Sequence, residues 1–278
     1  MDGLASMAEK SYLSFGNDKM TVYRPLLDFE RQTLRNVLKF YKVDWIEDPT
    51  NNDQSFERVK VRNLLARCIE IGIDKSTISQ TALLMQSAKT ALNHFASDCY
   101  EKFGSCDNGD IIFDFDEFSK QPLDIKRRLI SAAQKWISNQ KYRPRLSQVD
   151  GLINSIDEKI TFSGSGTICY FHDNSIRITR EVNASVCEIE ASNGVIFDRR
   201  WKLIALENCR DLTIKCLGED GYTFLEPGLR KKIPYKTIIA LPALFNDNNL
   251  INFPFLDPNS KFKFNLCKQP FNQFLLDH

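Results

Sequence analysis

The sequence has no Cys-x-x-Cys pair, only three histidines and almost no net charge, with Lys+Arg 37 against Asp+Glu 36 for a formal +1. Its apolar runs also fall short of the roughly 20 residues that a membrane helix needs. Each shortage narrows the field. The eight cysteines (Cys68, Cys99, Cys106, Cys169, Cys187, Cys209, Cys216, Cys267) are scattered, which gives no support to a zinc ribbon or a dithiol redox motif. Met1-Asp2-Gly3-Leu4 lacks the basic-then-apolar start of a signal peptide, so the cytoplasm is the expected compartment and no membrane partner is expected. With so little net charge, any surface for a polyanion has to come from local clustering. What remains is ordinary soluble composition, 42% hydrophobic and 26% charged, at a length that suggests two or three modest domains.

Periodicity divides the chain. Asp28 can cap a helix whose apolar positions Leu34, Val37, Leu38 and Tyr41 fall on one face, and Pro49 with Asn51-Asn52 ends that unit in a turn. A second helical stretch runs from Phe56 to about Gly72, and a third opens at Ser76 with the stripe Ile78, Ala82, Met85, Leu92, Phe95, Cys99 and Phe103. Gly104 and the polar segment from Ser105 to Asp110 stop it. Ile111 to Phe115 is a short strand candidate, Pro122 starts a helix to about Asn139, and Leu146 to Ile156 makes another. Beyond Lys159 the texture turns to β, with Thr167 to Phe171 and Ser175 to Arg180 forming a hairpin across His172-Asp173-Asn174.

Two basic stretches stand out. The first follows the polar string from Trp45 to Asp53 and carries Arg58, Lys60, Arg62 and Arg67 on a helix start; it reads either as a solvated helix face behind an Asx-type turn or as a fork of cations for phosphate. The second runs from Pro122 to Ser147, where Lys126, Arg127, Arg128, Lys135, Lys141, Arg143 and Arg145 face the single acid Asp124, with Trp136 and Tyr142 interleaved. That stretch reads equally as RNA contact or as a solvated helix face with core aromatics. His94 lies beside an apolar stripe and His172 in a turn, neither with a ligand set near it. Cys209 and Cys216 read as small buried apolar groups, and Phe162-Ser163-Gly164-Ser165-Gly166 reads as a turn.

Trp45, Asp48, Pro49, Thr50, Asn51, Asp53, Arg58 and Arg62 resemble, position by position, the W-x-x-D-P-[ST]-N-x-D string and following basic helix of the tRNA(Ile)-lysidine synthetases, with Val59 and Lys60 departing from it. Arg24-Pro25-Leu26-Leu27 and Gly3-Leu4 with Met7 match upstream landmarks of that family. Weaker matches to its α-proteobacterial branch follow in order: Tyr142-Arg143-Pro144-Arg145, Ile178 to Glu181, Asp198 to Lys202 and Leu241 to Leu244. The family's S-G-G-x-D-S loop, which binds ATP, and its H-H-x-D-D-Q motif are absent. The sequence is therefore expected to begin after the ATP-binding PP-loop and to be inactive alone.

The resemblance implies an α/β plus α+β chain. Residues 1–68 would be the C-terminal remainder of a Rossmann-like ATP-pyrophosphatase domain, 69–158 a helical tRNA- and substrate-contacting region, and 159–278 a β-rich C-terminal region. A parallel sheet without its first strands would leave edges and helix faces uncovered. The implied activity is ligation of free lysine to the wobble cytidine of tRNA(Ile), driven by ATP with Mg2+, through adenylation and displacement of AMP by the lysine amine. The implied partners are tRNA(Ile) and lysine, and a homodimer is compatible. Expected phosphate or tRNA contacts are Arg24, Asp48, Asn51, Arg58, Lys60, Arg62, Lys126, Arg127, Arg128, Arg143 and Arg145; no catalytic residue is assigned. A non-catalytic tRNA-binding remnant and a structural fragment of a decaying gene are the rival readings.

Overall fold

The computed structural model describes residues 9–15, 18–53 and 55–277, and within these the side chains of residues 12–15, 18, 19, 49, 52, 58, 62, 66 and 75 lie outside the description. The Gly3-Leu4 and Met7 matches therefore fall outside the described residues. The architecture is mixed: helices and antiparallel sheets, divided into two compact units, Met1–Thr90 and Ala91–His278.

In the first unit the strands β1 (Lys10–Phe15) and β2 (Asp18–Tyr23) pair antiparallel, followed by the helices α1 (Arg31–Phe40) and α2 (Glu57–Glu70) and the start of the long α3 (Lys75–Phe103). The hairpin was not foreseen; the three helices were. Val59 is the only buried residue among the described side chains of this unit. Of the predicted apolar face, Leu34 and Leu38 are half-buried while Val37 and Tyr41 are 47% and 70% exposed, so among the described residues that face is only partly covered.

The second unit holds two cores. The first is a five-stranded antiparallel sheet, order β3-β4-β7-β6-β5, from β3 (Gly104–Asp107), β4 (Asp110–Asp114), β5 (Phe162–Gly164), β6 (Thr167–His172) and β7 (Ser175–Arg180). The change of texture near residue 158 is thus not a change of packing unit, because strands from both sides of it share one sheet. The predicted β6–β7 hairpin turns through Asp173 and Asn174, both at positive φ as a two-residue turn requires. The polar segment from Ser105 to Asp110, expected only as a helix stop, makes the β3–β4 hairpin instead. Asn108-Gly109 at its tip, φ 50 and 75, is the strongest short-range hairpin signal a sequence can carry.

Against this sheet lie α4 (Phe115–Ser119), α5 (Leu123–Ser138) and α6 (Leu146–Asp157), and α10 (Phe271–Asp277) packs on α5. Ten of the sixteen residues of α5 are buried, including the polar Arg128, Gln134 and Ser138, because it is packed by strands on one side and by α6 and α10 on others. A helix enclosed in this way loses its solvated face. Phe271 on α10 is 2% exposed and makes edge contacts with the rings of Tyr100 (4.8 Å) and Trp136 (5.9 Å).

The second core is built by β8 (Ile189–Glu190), β9 (Ile196–Phe197), β10 (Trp201–Ala205), β11 (Thr213–Cys216), β12 (Pro242–Asn246), β13 (Asn249–Asn252) and β14 (Phe262–Leu266), in two sheets of order β13-β12-β11-β8 and β14-β10-β9. Three short helices, α7 (Gly218–Phe224), α8 (Pro227–Arg230) and α9 (Tyr235–Ile238), link β11 to β12. Pro242 opens its strand, the position where a missing N–H costs the ladder least. Among the described residues no helix is long and apolar enough to cross a membrane.

Because Phe271 fills the first core from the end of the chain, Phe271→Ala should cost about 3–5 kcal/mol of unfolding free energy. Leu276→Ala, at a site 41% exposed, should cost under about 1 kcal/mol. Urea unfolding followed by tryptophan fluorescence measures both, and equal losses would mean that α10 is not part of the cooperative core.

Candidate nucleic-acid interface

The string from Trp45 to Asp53 folds as a sequence of local caps. Asp48 precedes a 3-10 turn (Pro49–Asn52) and its carboxylate accepts from the Thr50 amide at 2.9 Å, while the Asn51 amide donates to the Asp48 carbonyl at 3.0 Å. Asp53 accepts from the Ser55 amide at 2.8 Å, which lowers its pKa. Trp45 Nε1 donates to Glu47 at 2.8 Å, and Arg31 and Arg35 of α1 pair with the same carboxylate; the Trp45 bond and the two guanidinium groups hold Glu47 below the usual carboxylate range. The loop is thus fixed by its own side chains, and it delivers α2 with Arg58 and Arg62 in its first two turns. The side chains of those two arginines lie outside the described residues. Lys60 and Arg67 line an open groove of about 410 Å³ with Val61, Asn63 and Leu64. Arg24, half-buried, donates to Ser11 Oγ at 2.9 Å.

In the second basic stretch the structure separates residues that the sequence lists side by side. Arg128 is 8% exposed and donates to Asn93 Oδ1 at 2.7 Å. It stands three residues after Ile125 and four before Ala132, on the core stripe of α5, so it cannot belong to a solvated face. Arg127 makes a two-pronged pair with Asp150 of α6, at 2.7 and 3.0 Å, and also reaches Asp124 at 3.6 Å. The shared bond raises the pKa of Arg127 and lowers that of Asp150. Lys126 lies 4.0 Å from Asp157. Trp136, read from sequence as a platform for a base, is 2% exposed and its Nε1 donates to the Gln269 carbonyl at 3.0 Å.

The idea of one exposed basic face from 126 to 145 is therefore corrected: α6 returns acids to its helical part, and packing removes Arg128 and Trp136. What reaches solvent is the loop after α5. Lys141, Tyr142 (74% exposed) and Arg145 are exposed, and Arg143 is half-buried.

Between the two cores lies a buried polar joint that sequence reasoning missed as such. Arg177 donates to Asp110 at 2.8 Å and to Asp107; Thr237 also donates to Asp110, and its hydroxyl meets that of Tyr170 at 2.7 Å. Burial pushes the Asp110 carboxyl above the usual carboxylate range, against Arg177 and the hydroxyls of Thr237 and Thr179, which pull it down. Arg180 grips Asp198 with two bonds, 2.8 and 3.1 Å, and also donates to the carbonyls of Gly166 and Ala184. Two segments singled out in the sequence, Ile178 to Glu181 and Asp198 to Lys202, are thus each other's partners. Of the Phe162 to Gly166 cluster, expected as a turn, Ser165 and Gly166 make the β5–β6 turn at φ 54 and 71, while Phe162 to Gly164 form β5 itself. Cys209 and Cys216 are buried free thiols, and burial pushes the Cys216 thiol up to about 11. Among the described residues no group of three or more His, Cys, Asp and Glu side chains is placed to hold a metal.

Comparison with known proteins places these residues in context. A family model described as a PP-loop domain matches residues 1–69. The expectation of a chain lacking that domain's features is corrected to this extent: residues 1–69 are themselves similar to a PP-loop domain, although the S-G-G-x-D-S string is not among them. The chain is also similar to tRNA(Ile)-lysidine synthases over most of its length. It is 28% identical over 254 residues to that of Ruegeria pomeroyi, covering 91% of this chain and 59% of the relative. It is 29% identical over 279 residues to that of Wolbachia pipientis wMel and 31% over 277 residues to that of the Wolbachia of Brugia malayi, in both cases covering 94% of this chain and 61% of the relative. The chain spans about three fifths of the length of these curated relatives.

Arg128→Glu should be strongly destabilising, by at least about 3 kcal/mol, because it puts a carboxylate in a buried position where a guanidinium donates to Asn93 Oδ1, an acceptor. Arg145→Glu, at an exposed position, should shift stability by no more than about 0.5 kcal/mol. Thermal melts followed by circular dichroism read both, and a folded Arg128→Glu protein with a parental midpoint would return this residue to the surface.

Proposed function

We propose that this chain serves in tRNA modification, in the ATP-dependent ligation of lysine to the wobble cytidine of tRNA(Ile). The observation that carries this is the similarity to tRNA(Ile)-lysidine synthases over 91–94% of the chain, running through both units. The PP-loop match over residues 1–69 supports ATP as the activating substrate and a Rossmann-like origin for that unit. Mg2+ on the phosphates and free lysine as the incoming amine complete the reading, and the segment from 69 to 158 is its tRNA-contacting region. No residue is assigned as acid, base or nucleophile.

The chemistry divides among the residues present. A rigid loop that caps itself through Asp48 and Asp53 sets the start of α2, and in this reading Arg58 and Arg62 meet phosphate of the tRNA or of the adenylated intermediate, with Lys60 beside them. Arginine suits that task because its planar fork matches two phosphate oxygens at once. A non-catalytic tRNA-binding role is the second reading, favoured by the solvent-exposed Lys141 to Arg145 loop, which needs no ATP site to hold RNA.

The test is incorporation of labelled lysine into a CAU-anticodon tRNA(Ile) transcript, by the chain as given and by a chimera completed with the unmatched part of the Wolbachia pipientis relative. The chimera should incorporate lysine only with ATP. Arg58→Ala or Arg62→Ala in it should lower the rate by about one to two orders of magnitude, as expected for loss of a charge-assisted bond of roughly 1.5–3 kcal/mol. No incorporation by either protein, with tRNA still bound, leaves the binding role; neither incorporation nor tRNA binding overturns both readings.

A further inference from the structure

Asn139 fastens three separate stretches of chain at one point. It ends α5 in the left-handed region, φ 56, which Asn tolerates better than most residues. Its Nδ2 donates to the carbonyls of Asp198 at 3.0 Å and Arg199 at 3.4 Å, and its Oδ1 accepts from Lys268 Nζ. Lys268 also lies over the Trp136 ring, 5.8 Å from its centroid, and the Cys267 amide donates to the Arg200 carbonyl at 2.7 Å. The segment after β14 and the β9–β10 turn are thus tied to each other and to the end of α5.

The β9–β10 turn shares the paired positive-φ backbone of the β6–β7 turn. Asp198 and Arg199 are consecutive non-glycine residues at positive φ, 48 and 54. Conformations of this kind cost energy and persist where surrounding contacts over-determine them. Here the effect is to turn the Asp198 carboxylate inward onto Arg180, 8% exposed, and to leave Arg199 in solvent. The backbone of Arg199 is fixed 3.4 Å from Asn139, two residues ahead of Lys141. The end of α5, which leads into the loop with Lys141, is thus held against the turn that carries Arg199 and the segment that carries Lys268, while the Asp198 carboxylate faces Arg180.

We infer that this composite edge is the RNA grip of the chain: Lys141, Arg143 and Arg145 on one side, Arg199 and Lys268 on the other, with Tyr142 exposed for stacking on an unpaired base. Asn139 is its positioning residue. RNA is the class of ligand that rewards cations held on fixed backbone turns beside an exposed aromatic ring. The inference rests on the tRNA-modifying reading and replaces the buried helical half of the basic stretch with residues from another part of the fold.

The test uses the full chain and an unmodified tRNA(Ile) transcript, with binding followed by fluorescence anisotropy at several KCl concentrations. Arg199→Ala and Arg145→Ala should each weaken binding several-fold at low salt and lower the log–log salt slope by about one, the loss of one neutralised phosphate. Asn139→Gly keeps the left-handed backbone and removes no charge, yet should lower the slope as well, because Arg199 and Lys268 lose their alignment. Asn139→Ser, uncharged and too short to reach both the carbonyls and Lys268, replaces it if the glycine variant unfolds. Lys120→Ala should keep the parental slope, since Lys120 precedes the far end of α5, about 24 Å away at the helical rise. A parental slope in a folded Asn139 variant overturns the positioning role. Unchanged slopes in Arg199→Ala and Arg145→Ala, or no binding by the parent, overturn the edge itself. Lysine incorporation is a separate readout, so either reading can fail with the other intact.

Discussion

The pair Arg180–Asp198 is the contact on which the second unit depends. Both side chains are more than nine-tenths removed from water, a transfer that costs several kcal/mol per ion unless geometry and additional bonds offset it. Here they do. The carboxylate is met by two N–H bonds, and two further guanidinium donors go to the carbonyls of Gly166 and Ala184. One arginine at the end of β7 thereby fixes the β5–β6 turn, the segment after β7 and the β9–β10 turn together. With Arg177, Asp110 and Thr237 it converts two apolar cores into one unit whose relative placement is specified by directional bonds, which hydrophobic contact alone does not provide.

That joint bears on function because the same turn carries Arg199. The turn at Asp198 and Arg199 separates an acid and a base that adjoin in sequence, one into the joint and one into solvent. Local charge counting along the chain cannot see such a separation. It assigns a large positive excess to residues 122–147, whereas the folded molecule neutralises part of it with Asp150 and Asp157 and buries Arg128 outright.

The elements that local rules determine were legible. The α3, α5 and α6 helices follow from apolar spacing, and the β6–β7 hairpin from a two-residue Asp173-Asn174 turn. The β3–β4 hairpin carried an equally good signal in Asn108-Gly109 but was hidden by its polar composition. Arg128 stood on the core stripe at helical spacing, and its charge masked that position. What was not legible depends on long-range pairing. That Arg180 meets Asp198, that Trp136 is covered by Phe271, and that Lys268 reaches Asn139 are facts of tertiary register that one sequence does not contain. In the first unit, the expected stripe of α1 is half-buried at Leu34 and Leu38 and exposed at Val37 and Tyr41, so periodicity there was right about the helix and silent about what it packs on.

The docking of α10 has a consequence for how the chain comes to be folded. The sheet it closes is complete in sequence by Arg180, yet Phe271 and Leu275 enter that core from about ninety residues later. During synthesis from the N-terminus, the ring-lined site beside Tyr100 and Trp136 stays open while the whole second core is being made. Contacts so distant along the chain pay their loop-closure entropy late, and the half-finished intermediate shows apolar surface in the meantime. The helix α10 therefore joins that core late in a vectorial process, and ribosomal pausing just before it would leave the earlier-made core unsealed.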